Sequence, residues 1–327
     1  MIFIEKVKCF LEKNKSSKID IEKKKIIVIY WPTASWKTWL SLEIAKYINS
    51  EIISTDSRQI FIWLDIWTGK VTIWEMDWVK HHMIDIITPD KQYSVWEFKK
   101  DAEKIIKEIH NKWKIPILCW GTWLYIDSLI YDFNIPAIPA DEELRDKLEQ
   151  EAIKYWNEYV YNKLLEIDPE YANELHPNNI RYVVRALEVK MLTGKSKTEF
   201  REEKHLKYDT LFLTPYDWNR EKLYENIDKR VKQMFDDWLI EEVKELLKIY
   251  DKDSFWLQTI WYKEVVNFIL DLWLENISDK KLNIWEKEKQ GIKLDLQETI
   301  ELVQKNNRNY AKKQLTWFRK YEPEKNI

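Results

Sequence analysis

KKKIIVIYWPTASWKTWLSLEIAKYI, residues 23–48, opens on a β-branched apolar run and ends on apolar residues with helical spacing. The run KKKIIVIY (23–30) predicts a short buried strand, and TWLSLEIAKYI (38–48) predicts a helix. Between them, WPTASWKT (31–38) matches G-x-x-x-x-G-K-[ST] except that Trp31 and Trp36 stand at the two glycine positions. With glycine at 31 and 36 the backbone can turn at positive φ and bring its N–H groups close to phosphate oxygens. The helix N-terminus adds its partial positive charge. Trp31, Pro32, Thr33, Ala34, Ser35, Trp36, Lys37 and Thr38 therefore form a candidate polyphosphate cradle. Lys37 contributes a point charge, and Thr38 is the candidate ligand for a bridging Mg²⁺. The competing reading is an ordinary strand–turn–helix with a coincidental Lys-Thr.

The two misplaced tryptophans belong to a wider anomaly. The chain carries 19 Trp and 4 Gly, where an ordinary protein has about 7% Gly. Their sum restores the usual glycine share. Trp favours strands and cores rather than phosphate loops. Yet Trp31, Trp36 and Trp120 follow strands in loops, and Trp238 in DDWLIEEV sits where a helix break is natural. Most of these tryptophans are thus expected to be glycine in the source organism, under a bacterial code that reads UGA as glycine.

The 327 residues carry 33% charged and 45% hydrophobic side chains with a net charge of −3. This predicts a globular protein without a membrane span, placed in the cytoplasm. Two cysteines, Cys9 and Cys119, exclude a disulfide framework or a four-thiolate zinc site. Any RNA contact must come from local basic patches.

Further strands are expected at 51–55, 115–120 and 210–214, and a helix at 98–112. That alternation predicts an α/β fold, a P-loop NTPase-like parallel sheet with helices on both faces. From 141 to about 204 the pattern is helical, with Asp141 as N-cap. The expected organisation is an extension at 1–24, a first part of the core at 25–135, an inserted all-helical domain at 136–205, and the rest of the core with C-terminal helices at 206–327.

Asp56 ends the second strand on the edge where open α/β sheets bind ligands. It can accept a proton, hold Mg²⁺, or simply cap a helix. Ser57, Arg58 and Gln59 share its loop, and Arg58 and Gln59 can reach a base edge. A third loop, Trp120-Gly121-Thr122-Trp123, offers a second backbone nest with the Thr122 hydroxyl as an added donor. His81 and His82, adjacent and so diverging, read as structural. Arg181 and Arg185 share one helical face. Residues 305–320 interleave Lys and Arg with Tyr310, Trp317 and Phe318, the mixture RNA binding uses, although a solvated helix face is the commoner meaning.

Together these motifs resemble the tRNA dimethylallyltransferases, also called tRNA isopentenyltransferases. The resemblance runs from about residue 26 to 320 through ISTDSRQIF (53–61), LDIWTGK (64–70), HHMIDI (81–86), YSVWEF (93–98), HPNNIRYVVRALE (176–188), LQTIWYKE (257–264) and YAKKQLTWFRK (310–320). Where that family has glycine, this chain has Trp at 31, 36, 63, 67, 120, 238 and 261, while Trp317 falls on a family Trp. The resemblance implies transfer of a dimethylallyl group from dimethylallyl diphosphate to the exocyclic amine of the adenosine 3′ of the tRNA anticodon. It implies Asp56 as general base, catalytic support from Lys37 and Thr122, and donor diphosphate on residues 31–38 with Arg220 nearby. It also implies that Thr122 and Arg145 touch the tRNA or position the reacting base, with Arg181 and Arg185 as tRNA contacts on the inserted domain. Mg²⁺ is the expected cofactor and a monomer the expected state. The rival readings are a prenyltransferase of free adenine nucleotide, a P-loop nucleotide or small-molecule kinase, and an RNA-binding protein with an inactive P-loop.

Overall fold

A computed structural model describes residues 2–12, 23–30, 32, 37–119, 121–131, 141–200, 205–215, 219–252, 254, 257, 259, 262–273 and 295–321. Five parallel strands form one sheet: β1 (Lys25–Ile29), β2 (Ile52–Ser54), β3 (His81–His82), β4 (Ile117–Cys119) and β5 (Asp209–Leu213), in the order β3-β2-β4-β1-β5. In β1 only Lys25 reaches solvent; Ile26 to Ile29 are fully buried, as a strand covered on both faces requires. Ile29 pairs with Cys119 of β4 on one side and with Leu213 of β5 on the other.

The chain divides into two compact units. The first comprises Met1–Gln92, Ala102–Ile126 and Tyr208–Ile327, and holds the whole sheet; the second comprises Tyr93–Asp101 and Asp127–Lys207. In chain order the helices are α1 (Ile2–Glu12), α2 (Lys37–Tyr47), α3 (Ile73–Met76), α4 (Val95–Asn111), α5 (Trp123–Ile130), α6 (Glu142–Tyr155), α7 (Asn157–Ile167), α8 (Pro169–Ala172) and α9 (Ile180–Thr193). They continue with α10 (Arg220–Asp236), α11 (Leu239–Ile249), α12 (Tyr262–Trp273) and α13 (Leu296–Phe318). Residues 132–140, which include Pro136 and Pro139, lie outside the described residues.

The second unit is a helical cluster. Leu148 and Ala152 of α6, Val160 and Leu164 of α7, and Val183, Val184 and Leu187 of α9 fill its core. Asp141 caps α6, its carboxylate accepting the Leu144 N–H at 3.0 Å.

The helix break expected at Trp238 is present, between α10 and α11. They meet at Trp238, whose φ of 74° is left-handed. The N-terminal extension also has a definite place. α1 buries Val7 and Phe10 in the cluster that holds Ile27, Ile29, Leu40 and Ile44. The Lys25 ammonium donates to the Phe10 carbonyl at 2.6 Å and to that of Leu11 at 3.2 Å, placing a cation on the negative end of α1.

His82 proves structural. Its Nε2 lies 2.8 Å from the carboxylate of Glu51, which also accepts from Lys112 at 2.9 Å. Burial works to raise the Glu51 pKa, but the bonds from Lys112 and His82 prevail and bring it down to about 2. The carboxylate therefore stabilises the fold above its unfolded value of about 4.5, and that contribution disappears as pH falls toward 2. Glu51→Gln is expected to lower stability by about 1–3 kcal/mol at pH 7. Denaturant melts of the two proteins should converge only as pH approaches about 2; a difference that persists undiminished there refutes the ionic origin.

Candidate active site

Adjacent strands β1, β4 and β2 send their following loops to one edge of the sheet. The loops after β2 and β4 are tied together. The Thr55 N–H donates to the Cys119 carbonyl at 2.9 Å, and the Thr122 N–H donates to the Thr55 carbonyl at 3.2 Å. The Thr122 hydroxyl accepts the Ser57 N–H at 3.0 Å and lies 3.3 Å from the Ser57 hydroxyl. Gln314 of α13 closes the back, its amide donating to the Gly121 carbonyl at 3.0 Å.

Asp56 stands in the middle. No helix follows it, which removes the capping alternative: residues 57–60 form turns, and Asp56 Oδ1 accepts the Arg58 N–H two residues on, at 2.8 Å. Burial raises the Asp56 pKa. The Arg58 N–H and the charges of Arg58, Lys37 and Arg230 act in the opposite sense. A raised pKa makes the carboxylate a stronger acceptor for a proton, and the surrounding cations favour its ionised form.

Lys37 and Thr38 open α2. The Lys37 ammonium donates to the Pro32 carbonyl at 2.6 Å, and the Cys119 thiol lies 3.7 Å from the Lys37 carbonyl. Trp31, Thr33, Ala34, Ser35, Trp36 and Trp120 lie outside the described residues. Burial lowers the Lys37 pKa to about 8, with Cys119 and Asp56 opposing and Arg230 assisting. In the free enzyme, kcat/KM for an anionic substrate should therefore fall as pH rises through about 8. Lys37→Arg, which cannot deprotonate in that range, should abolish this alkaline limb even if it lowers the plateau. A limb unchanged in the variant assigns it elsewhere.

Several residues differ from their expected places. Gln59 is fully buried: the Ser54 hydroxyl donates to its Oε1 at 3.0 Å, and its Nε2 donates to the Gly69 carbonyl at 3.3 Å. Its amide supports the loop instead of facing a base edge. Arg58 turns inward, within electrostatic reach of Asp56, Tyr310, Tyr125 and Tyr262. Arg220 is exposed in the first turn of α10. The arginine of α10 that reaches Asp56 is Arg230, ten positions later, whose guanidinium lies against Gly69 so closely that a Cβ there would come within 1.9 Å. Arg230 falls on the face that carries Leu223, Ile227 and Met234. A lone arginine on an apolar helix face was the available signal.

The basic C-terminal stretch separates by face. Lys305, Lys312, Lys313 and Arg319 are exposed, and Arg308 pairs with Asp228 at 2.5 Å. Its aromatic residues do not accompany the cations outward. Phe318 is fully buried, Tyr310 approaches Asp56, and Trp317 stacks on Trp123 at 3.6 Å. In the second unit Arg181 is exposed on α9, whereas Arg145 and Arg185 converge on the buried carboxylate of Glu188, Arg145 through two bonds of 2.9 Å.

Among the described residues no group of three or more His, Cys, Asp or Glu could hold a metal. No described helix is long and apolar enough to cross a membrane.

Comparison with known proteins identifies the family. The tRNA dimethylallyltransferase of Halothermothrix orenii is 44% identical over 299 residues, 90% of this chain and 84% of that one. That of Acetivibrio thermocellus is 42% identical over 91% of this chain and 89% of its own. The crystal structure of the tRNA isopentenylpyrophosphate transferase from Bacillus halodurans matches with a TM-score of 0.59 at 38% identity, covering 91% of this chain and 87% of that one. A eukaryotic dimethylallyltransferase acting on tRNA matches with a TM-score of 0.70 at 29% identity, covering 90% and 70%. The family model for IPP transferase spans residues 59–321, which takes in Arg230, Thr122 and Tyr310, and the chain belongs to that family.

Proposed function

We propose that this chain transfers a dimethylallyl group from dimethylallyl diphosphate to the exocyclic amine of the adenosine 3′ of the tRNA anticodon, releasing diphosphate. The observation that carries the reading is one carboxylate, Asp56, set among Lys37, Arg58 and Arg230 where the loops of β2 and β4 are tied together. The amine nitrogen bonds to the allylic carbon as the carbon–oxygen bond to diphosphate breaks. Asp56 accepts the amine proton, and Lys37 with Arg230 neutralises the departing anion. Thr122 holds the Asp56 loop through Ser57. Thr38, beside Lys37 at the start of α2, fits Mg²⁺ carried in on the diphosphate, which needs few protein ligands. Such an ion would supply further neutralisation of the leaving group. Arg181, with Arg145 and Arg185 presented from Glu188, offers phosphate-binding charge on the helical unit. A cytoplasmic monomer suits a tRNA substrate.

Purified protein with Mg²⁺ should consume dimethylallyl diphosphate only when tRNA is present, with one diphosphate released per prenyl group transferred. ATP hydrolysis or phosphorylation of a small molecule, without prenylated tRNA, decides for a kinase instead.

The reading extends to the tryptophans. Nine described residues other than glycine have positive φ, and five of them are Trp63, Trp78, Trp113, Trp156 and Trp238. A bulky side chain is a genuine outlier there. Their indoles do not fill the core either: Trp78 and Trp113 are 101% and 96% exposed. Glycine at these positions removes both anomalies, which supports UGA decoded as glycine.

A further inference from the structure

The half-buried carboxylate of Glu242, on α11, has no part in the chemistry above, yet it is matched by three donors. Oε2 accepts the N–H groups of Asp65 at 2.9 Å and Ile66 at 2.8 Å, and Oε1 accepts the Tyr262 hydroxyl at 2.8 Å. Two successive backbone N–H groups on one oxygen fix the orientation of the peptide between them. The residues that follow are a tight turn. Gly69 N–H donates to the Ile66 carbonyl and Lys70 N–H to the Asp65 carbonyl, both at 3.1 Å, and the Thr68 hydroxyl donates to the Leu64 carbonyl. An anchor at 65–66 therefore sets the position of 68–69. There the Thr68 and Gly69 carbonyls hold the Gln59 amide at 3.4 and 3.3 Å, and the Gly69 backbone lies against the Arg230 guanidinium. Gln59 in turn receives the Ser54 hydroxyl, which also lies 3.4 Å from the Asp56 N–H.

We infer that Glu242 is a positioning residue of the transferase reaction: by gripping the backbone of residues 65 and 66 it sets the loop that seats Arg230 and Gln59 behind Asp56. Glu242 acts through the backbone of the 64–70 loop, while its other oxygen holds the Tyr262 hydroxyl, which lies within electrostatic reach of Arg58. The cations and phenol that face Asp56 are Arg58, Lys37, Arg230 and Tyr310. Of these, Arg230 is the one whose seat the loop supplies. The inference rests on the reading of Asp56 as the base.

The test compares wild type with Glu242→Ala, Glu242→Asp and Glu242→Gln in the active enzyme, with Asp56→Asn assayed in parallel. Displacing a catalytic group by an ångström costs up to about 100-fold. Glu242→Ala is expected to lower kcat by about 10–100-fold, with KM for tRNA held within about twofold. The acidic limb of kcat/KM should move to higher pH, because Arg230 no longer offsets the burial of Asp56. Glu242→Asp keeps the charge but withdraws it by one methylene, so it should show the same losses if the alanine variant does not fold. Glu242→Gln keeps an oxygen for both N–H groups and should restore most of kcat. A folded Ala or Asp variant with wild-type kcat and an unmoved limb overturns the inference. So does a loss of activity that only tracks the fraction unfolded, with the limb in place. If Asp56→Asn is active, the reading of the base fails on its own account, whatever the Glu242 variants do.

Discussion

Asp56→Asn should lower turnover by ~10²–10⁴-fold while tRNA affinity stays within about twofold. The asparagine amide keeps the size of the carboxylate and its Oδ1 can still accept the Arg58 N–H, so the loop keeps its shape. What disappears is a proton acceptor among cations. Single-turnover assays with labelled tRNA separate the chemical step from binding. The acidic limb of the rate profile, which the raised Asp56 pKa generates, should vanish with the base. Near-normal turnover in the variant would reduce Asp56 to an organiser of its loop.

A comparable loss is expected of the chain made literally with 19 tryptophans, relative to the same gene read with UGA as glycine. Left-handed backbone costs a residue with a Cβ roughly 1–2 kcal/mol. Five tryptophans at positive φ thus draw about 5–10 kcal/mol from a domain whose whole stability is about 5–15 kcal/mol. The literal chain should be inactive, poorly soluble, or both, and the glycine form should fold and bind diphosphate. Peptide mass spectrometry of the source protein across residues 26–40, 113, 156 and 238 reads the answer directly. Each converted site is lighter by the Trp–Gly difference, and Trp317 keeps its indole. Genuine Trp at both 31 and 36 in an active enzyme would falsify the recoding.

β1, β2 and β4 were legible because each is a short β-branched run closed by a loop residue with chemistry of its own, whereas the edge strand β3, only His81 and His82, carries no such run and was not expected. Ile26–Ile29, Ile52–Ser54 and Ile117–Cys119 fall inside the expected ranges. Asp56 was legible for the same reason: a carboxylate just past a buried strand is local information. Arg230, Tyr310 and Glu242 were not. Their roles depend on charge and hydrogen bonding between segments far apart in the chain, such as Glu242 to Asp65, and no local periodicity encodes such a pairing. The aromatic residues of α13 misled because composition suggests stacking, whereas their spacing with Asn307, Ala311 and Gln314 turns Phe318 inward. The extension was opaque for a related reason. The partners of Val7 and Phe10 are the faces of β1 and α2, which become visible only once those elements are assembled.

The pairing of β1 with β5 has a consequence during synthesis. Lys25 to Ile29 find Asp209 to Leu213 only after the whole helical unit has left the ribosome. At about 5–20 residues per second, one side of β1 stays open for roughly ten to forty seconds. A β-branched apolar run with an open edge is a template for association with other nascent chains. Lys23, Lys24 and Lys25 immediately precede IIVI, and three like charges beside such a run act as gatekeepers against it. Neutralising Lys23 and Lys24 would remove two of these gatekeepers and expose the newborn chain to aggregation.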